Sequence, residues 1–407
     1  MSSSDLIKTG IPLMDDAIGG GLKQGSATVY WSEVEVESSA LGFQTLYNRL
    51  NQGDAGVVVL TTKKSSQVLE AMHDMGFNLE GLPLVFVDAF SAIYGGKSGD
   101  RFFVKSPDDA DELVSVVKEA ILTHKGKHTL LMFDSLSAYV DRFEQVSQVV
   151  DIASKFLQLL KEYNVTGIFV FTEWPYEPDL LDKLNQAFDM VVRLEATTQK
   201  TVYAIKISKP TVKSITVLFN VLKNSGVQIS LPKILVTGPF HAGKTSFIHS
   251  ASHGAVSVDK LGTTVALDYA RVNHKGFSID LFGTPGQTRF DPLMGKLGGQ
   301  ALGLIIVVSA TDRAGLSRVR ELIPLTGSGD LPYVIAVNKV NLRGALSVPA
   351  MRSMMKGFKK APFIPMRAKN LAEVRPGHPC ELKQEDVEKV LDTIIGQIVK
   401  AERRKTR

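Results

Sequence analysis

The sequence predicts an α/β protein of two domains, residues 1–230 and 231–407, each a mostly parallel sheet with helices on both faces. Three observations carry that expectation. Short apolar runs alternate with helical stretches through both halves, the pattern of βαβ units. The 407 residues exceed one ordinary domain and suit two of about 200 each. A glycine-rich turn, Gly238-Pro239-Phe240-His241-Ala242-Gly243-Lys244-Thr245-Ser246, stands between a strand-like run and a helix-like one near the start of the second half.

Composition narrows the class. With 44% hydrophobic and 22% charged residues the chain reads as globular, and its longest strongly apolar run, Ala301 to Val308, is far too short to cross a bilayer. The start, Met1-Ser2-Ser3-Ser4-Asp5, lacks the basic region and apolar core of a signal peptide, and neither end carries a lipidation signal. Cys380, the single cysteine, excludes an internal disulfide and a thiolate metal cluster, so a reducing cytoplasmic location is expected. The net charge of +5 lies partly in Arg403, Arg404, Lys405 and Arg407. Cations at a helix end suit the helix dipole, with an anionic membrane or RNA as the alternative. The basic excess is small and not interleaved with aromatics, so no strong nucleic-acid signal exists. His73, His124 and His128 have no metal-ligand spacing.

In the first half, Ala27–Trp31, Gly56–Thr61, Leu84–Val87, Thr129–Phe133 and Gly167–Phe171 read as short buried strands. Ser66–Met75, Ala110–Thr123 and Val149–Tyr163 read as helices between them. Met190–Glu195, Thr201–Ile207 and Ser214–Phe219 follow closely on one another and read as antiparallel additions at one edge.

Several segments here resemble the KaiC branch of the RecA-like ATPases. They are Lys8-Thr9-Gly10-Ile11-Pro12-Leu13-Met14-Asp15, Gly19-Gly20-Gly21-Leu22, Gln44 with Tyr47-Asn48, Met132-Phe133-Asp134-Ser135-Leu136-Ser137, and Val192-Arg193-Leu194-Glu195. The resemblance spans nearly all of residues 6–230 and implies that fold. It does not carry the activity with it. At the place of that family's phosphate loop stands Ser32-Glu33-Val34-Glu35-Val36-Glu37-Ser38-Ser39, without glycines and with Ser38 for the lysine. Three glutamates would face a triphosphate, and like charges at ~4 Å repel by roughly 1 kcal/mol each even in water. Thr61-Thr62-Lys63-Lys64 stands where the family has paired glutamates that activate water, so the general base is absent. Asp134 is left as a strand-end carboxylate, and residues 1–230 read as a pseudo-ATPase. Alternating with Val34 and Val36, the glutamates would give an extended loop one acidic face for a basic partner; a solvated loop is the plainer reading.

The boundary is expected near Gly226–Pro232, with no Pro/Ser-rich spacer. Lys233–Thr237 then reads as a buried strand, with a helix from Ser246. The turn between them fits GxxxxGK[ST]. Its glycines let backbone N–H groups curl round phosphates, Lys244 reaches the outer phosphates, and the Thr245 hydroxyl can ligate Mg²⁺. The helix that opens here points its positive end at the same anion.

Downstream follow Leu261-Gly262-Thr263-Thr264-Val265-Ala266-Leu267-Asp268-Tyr269, a strand Phe277–Phe282, and Gly283-Thr284-Pro285-Gly286-Gln287-Thr288-Arg289-Phe290. Next come a strand Ala301–Val308, Tyr333-Val334-Ile335-Ala336-Val337-Asn338-Lys339-Val340-Asn341, Phe363-Ile364-Pro365-Met366-Arg367-Ala368-Lys369, and a helix from about Gln384 to Ala401. This ordered set resembles the Ras-like small GTPases, most closely the MglA-like and archaeal branch; both halves would then be of P-loop NTPase type. The resemblance implies GTP/GDP and Mg²⁺ as ligands. Residues Gly238 to Ser246 and Gly286 would hold phosphate, Thr245 and Thr264 would hold the metal, and Gln287 would orient the attacking water. Asn338, Lys339, Asn341, Ala368 and Lys369 would surround the base. Thr263 is the alternative to Thr264, which better fits the strand that follows.

Two positions depart from that pattern. Gly283 stands where the family's Mg²⁺-organising aspartate would be, and Asp280, three residues earlier, reads as a strand residue. Magnesium is thus expected to depend on Thr245, Thr264 and water. Asn341 replaces an aspartate that accepts two hydrogens from guanine, a mismatch of ~1–3 kcal/mol that narrows the preference for GTP over xanthosine or other triphosphates. Guanine is still expected to be favoured, since Asn338-Lys339 and Ala368-Lys369 are intact.

The expected function is a GTP-binding regulatory switch with slow Mg²⁺-dependent hydrolysis, on a catalytically inactive RecA-like scaffold. Arg271 and Arg289 lie near the switches, but neither reads as an internal arginine finger. The resemblance implies a GTPase-activating or Roadblock-type partner, and self-association through the RecA-like domain is possible. The competing readings are an ATP-dependent ring or motor regulator that uses Asp134, and a nucleotide-bound interaction protein without turnover.

Overall fold

A computed structural model describes residues 6–143, 146–197, 202–209, 217–253, 257–260, 266–286, 291, 294, 301–325, 331–358, 361–371, 374 and 380–406. The chain separates into two compact units, Met1–Ser230 and Leu231–Arg407.

In the first unit seven strands run parallel. In spatial order they are Met190–Ala196, Ala27–Ser32, Thr166–Thr172, Thr129–Asp134, Ala55–Leu60, Leu84–Asp88 and Phe102–Phe103. Ala27–Ser32, Ala55–Leu60 and Thr129–Asp134 are buried along their whole length, as strands covered on both faces must be. That is why they read as continuous apolar runs, without alternation. Aromatic rings fill one face: Phe133 lies edge-on to Phe156 at 5.2 Å and stacks on Phe169 at 5.8 Å. Of the three expected antiparallel additions, two are present as Tyr203–Lys209 and Val217–Leu222; the third, Met190–Ala196, instead runs parallel to Ala27–Ser32, and the antiparallel pairing starts from it.

A single strand, Gly226–Thr237, replaces the expected break between two segments. Its residues Gly226 to Ile229 pair antiparallel with Val217–Leu222, and Ile234 to Thr237 pair parallel with Gly303–Ser309.

The second unit continues parallel from Ile234–Thr237 through Gly303–Ser309, Tyr333–Asn338 and Phe363–Pro365. Its other strands, Ser257–Lys260, Ala266–His274 and Phe277–Gly283, pair antiparallel with one another. Gly303–Ser309 is wholly buried, with Ile306, Val308, Ile335 and Val337 at the centre of the core. The closing helix, Gln384–Thr406, extends five residues past its expected end. At Gly303 a side chain would press on Ile394 and Ile398 at 3.1 Å, so glycine lets this helix lie close to the sheet. No helix among the described residues is long and apolar enough to cross a membrane.

Candidate functional site

The turn after Thr237 has the backbone its sequence implied. Gly238, His241 and Gly243 all have left-handed φ, at 148°, 59° and 102°, and this curls the chain round a concave mouth. Both glycines are obligatory: a Cβ on Gly238 would lie 2.0 Å from the Val307 carbonyl oxygen, and one on Gly243 would lie 2.0 Å from Asn338 Nδ2. The helix begins at Lys244, two residues earlier than expected, so Lys244 and Thr245 form its first turn. Lys244 Nζ donates to the carbonyls of Gly238 at 3.0 Å and Pro239 at 2.8 Å. Burial pushes its pKa down to about 8, with the Asp268 carboxylate acting in the opposite sense. This is a cation in want of an anion.

Thr245 Oγ1 donates to Asp268 Oδ2 at 2.6 Å. A hydroxyl and a carboxylate oxygen side by side fit a hard cation such as Mg²⁺. Thr284 fixes the next loop: its N–H donates to Val236 at 2.9 Å and its hydroxyl to Thr237 Oγ1 at 2.9 Å. Gly286 then lies against the mouth, where a Cβ would sit 2.6 Å from Lys244 Nζ and 2.9 Å from Phe240 N. Thr264 and Gln287 lie outside the described residues. The Ser246 side chain faces away from the mouth and accepts the Cys380 N–H at 3.1 Å.

Of the five base candidates, Asn338 and Lys339 bond to this loop, and Asn341 and Ala368 pair with each other. Asn338 is fully buried, accepting from Lys339 N at 2.7 Å and donating to Ala242 O at 3.1 Å. Lys339 Nζ donates to His241 O at 3.0 Å. Asn341 is paired to Ala368 twice, its Nδ2 donating to the carbonyl at 3.0 Å and its Oδ1 accepting the N–H at 3.1 Å. Lys369 pairs with Glu381 at 2.7 Å. Arg271 is held bidentate by Asp280, in the strand as expected, and is thereby removed as a free arginine finger.

The first unit offers a control within the same chain. Between Ser32 and the helix Ser38–Leu50, residues 33–37 contain no left-handed φ. The turn closes on itself, with Val36 N–H bonded to Glu33 O at 3.2 Å and Ser38 N–H to Val36 O at 2.8 Å. No concave row of N–H groups forms. The stretch is a solvated turn, the plainer of the two readings: Glu33, Glu35 and Glu37 are exposed, Val36 is buried, Val34 is half exposed, and the Glu33 carboxylate accepts the Ala196 N–H at 2.8 Å. Asp134 is buried, with its Oδ1 accepting from Ser39 Oγ at 2.7 Å and its Oδ2 3.3 Å from Lys63 Nζ. An ammonium faces the carboxylate that would need a metal, and no phosphate cradle stands beside it. Asp134 Oδ2 has this ion pair and no hydrogen bond, so the lysine occupies the side of the carboxylate that a metal would take.

Sequence reasoning missed Asp268 and the Lys63–Asp134 pair. Asp268 was visible only as one polar residue at the start of a strand, and Lys63 only as a replaced glutamate. Each gains its meaning from a residue distant in the chain.

Two family models match the chain. The family model described as the KaiC ATPase matches residues 7–233, and the Ras family model matches residues 233–377. A UPF0273 protein of Methanopyrus kandleri is 30% identical over 143 residues, 33% of this chain and 56% of that protein. Another from Aeropyrum pernix is 34% identical over 123 residues, 29% of this chain and 49% of that one. The chain thus spans about half the length of these curated relatives. Translation initiation factor IF-2 of Clostridium botulinum is 24% identical over 206 residues, 49% of this chain and 28% of the factor. Among solved structures, a KaiC-like protein from Pyrococcus horikoshii aligns with TM-score 0.45 and 16% identity, over 55% of this chain and 98% of its own. The chain belongs to the KaiC ATPase family and carries a Ras-family domain behind its KaiC-like one.

Proposed function

We propose that this chain is a nucleotide-dependent switch in which only the second domain, residues 231–407, binds nucleotide, as GTP or GDP with Mg²⁺, while residues 1–230 serve as a scaffold. The contrast between the two strand-to-helix turns carries the reading. One has three left-handed residues and a buried lysine bonded only to carbonyls; the other has none and is closed by its own hydrogen bonds.

A triphosphate replaces the Gly238 and Pro239 carbonyls as partner of Lys244 and restores the charged state that burial disfavours. Mg²⁺, when bound, would supply positive charge against the phosphates. Thr245 and Thr264 would hold the metal, the Gly286 N–H would bond the terminal phosphate, and Gln287 would orient the attacking water. Hydrolysis releases these contacts, and the energy separating the two states comes from one phosphate and its metal. With Arg271 engaged by Asp280, turnover alone is slow, and a GTPase-activating or Roadblock-type partner accelerates it. Self-association runs through the RecA-like domain, and the protein works in the cytoplasm.

The test is equilibrium binding of GTP and ATP to the full chain, to Lys244→Ala and to Asp134→Ala. GTP binding that needs Mg²⁺ and is abolished only by Lys244→Ala supports the reading. ATP binding abolished by Asp134→Ala but retained by Lys244→Ala contradicts it.

A further inference from the structure

We infer that Asp268 is the carboxylate that organises the metal in this domain, supplied by the strand next to the one from which it was expected. The inference rests on the nucleotide reading above and assigns a ligand within it. Gly283 offers no side chain at the expected place. Its strand, Phe277–Gly283, pairs antiparallel with Ala266–His274, where Tyr269 stands opposite Phe282, so Asp268 lies directly across from the end of that strand.

The space is shared. A Cβ built on Gly283 would lie 3.1 Å from Asp268 Cβ and 2.8 Å from Ile248 Cδ1, so a side chain there would compete with Asp268 for the same volume. Glycine leaves the volume open, and Asp268 uses it to reach Thr245 Oγ1 at 2.6 Å. The empty position at Gly283 and the carboxylate of Asp268 are therefore one exchange. The loss of an aspartate at position 283 and the presence of one at 268 place a carboxylate beside the same threonine from the adjacent strand.

Charge supports the assignment. Asp268 is the anion that acts on the buried Lys244, so the mouth already contains the lysine, threonine and carboxylate that a Mg²⁺-phosphate group needs. The other nearby carboxylate, Asp280, is engaged by Arg271 and by the Tyr269 hydroxyl.

The experiment uses the full chain loaded with GDP. Mn²⁺ affinity is read by electron paramagnetic resonance, and the GDP off-rate is measured in Mg²⁺ and in EDTA. For the wild type, EDTA should speed GDP release at least about tenfold. Asp268→Asn, which keeps the side-chain shape, should weaken Mn²⁺ binding by about tenfold or more and make release nearly indifferent to EDTA. The double variant Asp268→Gly with Gly283→Asp returns a carboxylate from the other strand. It should recover most of the Mn²⁺ affinity, which a purely structural role for Asp268 does not explain. If GDP binds and Asp268→Asn keeps the wild-type Mn²⁺ affinity and EDTA response, the assignment is overturned and the nucleotide reading stands. If the wild type binds no GDP in Mg²⁺, both fall.

Discussion

Lys244 and Asn341 show how single side chains set the terms of binding. Lys244 titrates at about 8 in the folded chain against an ordinary 10.5. Between those values the unfolded chain binds more protons, so the stability of the nucleotide-free second domain rises with pH from about 8 to 10.5. Below pH 8 both states are protonated and the full penalty stands, on the order of 3 kcal/mol. Lys244→Met should therefore stabilise the nucleotide-free domain by roughly 1–3 kcal/mol at pH 7 while abolishing nucleotide binding. Circular-dichroism melts from pH 7 to 10 check this, because the rise with pH should vanish in the variant. Asn341 is a question of amide chemistry. Its orientation is set by Ala368, so the outward edge keeps one lone pair and one N–H. If guanine binds with its 2-amino group at that N–H, the two meet donor to donor, and inosine lacks the group. Wild-type affinities for GTP and ITP should differ by less than about tenfold, and Asn341→Asp should raise the preference for GTP by about tenfold or more. Competition binding decides: a strong GTP preference in the wild type contradicts this account of the amide.

At the scale of elements, the two strand–turn–helix units explain what the sequence disclosed and what it concealed. The phosphate-type turn was legible because its constraints are local: Gly238 and Gly243 sit where a Cβ is excluded, and no other residue type serves there. The parallel strands were legible because burial on both faces leaves continuous apolar runs. Asp268 was not, since a polar residue opening a strand has many innocent explanations until Gly283 is placed across from it. Nor was the Lys63–Asp134 pair, which joins the ends of two neighbouring parallel strands. That pair makes a separate prediction. Lys63→Ala leaves a buried carboxylate with only the Ser39 hydroxyl, and should destabilise the first domain by about 1–3 kcal/mol, with the partial exposure of Lys63 keeping the cost at the modest end. Asp134→Asn in that background should recover most of the loss. Both tryptophans, Trp31 and Trp174, lie in this unit, so tryptophan fluorescence during urea unfolding reports on it alone. Unchanged stability in Lys63→Ala contradicts the pairing.

For the whole molecule, the chain repeats one architectural idea, a strand running into a helix across a turn, and equips it twice in different ways. In one copy a hydroxyl and a carboxylate, Thr245 and Asp268, stand beside an open nest and a lysine. In the other a similar pair, Ser39 and Asp134, stands beside a closed turn and an ammonium that meets the carboxylate directly. The fold repeats while the two turns differ, and the proposal that residues 1–230 bind no ATP rests on that difference, because a fold does not by itself carry an activity. The most direct measurement is the stoichiometry of triphosphate bound per chain, by calorimetry with GTP and separately with ATP, in Mg²⁺. The account predicts one GTP per chain, lost in Lys244→Ala and kept in Asp134→Ala, and no ATP at the first domain. Two triphosphates per chain, or an ATP site removed by Asp134→Ala, would contradict it.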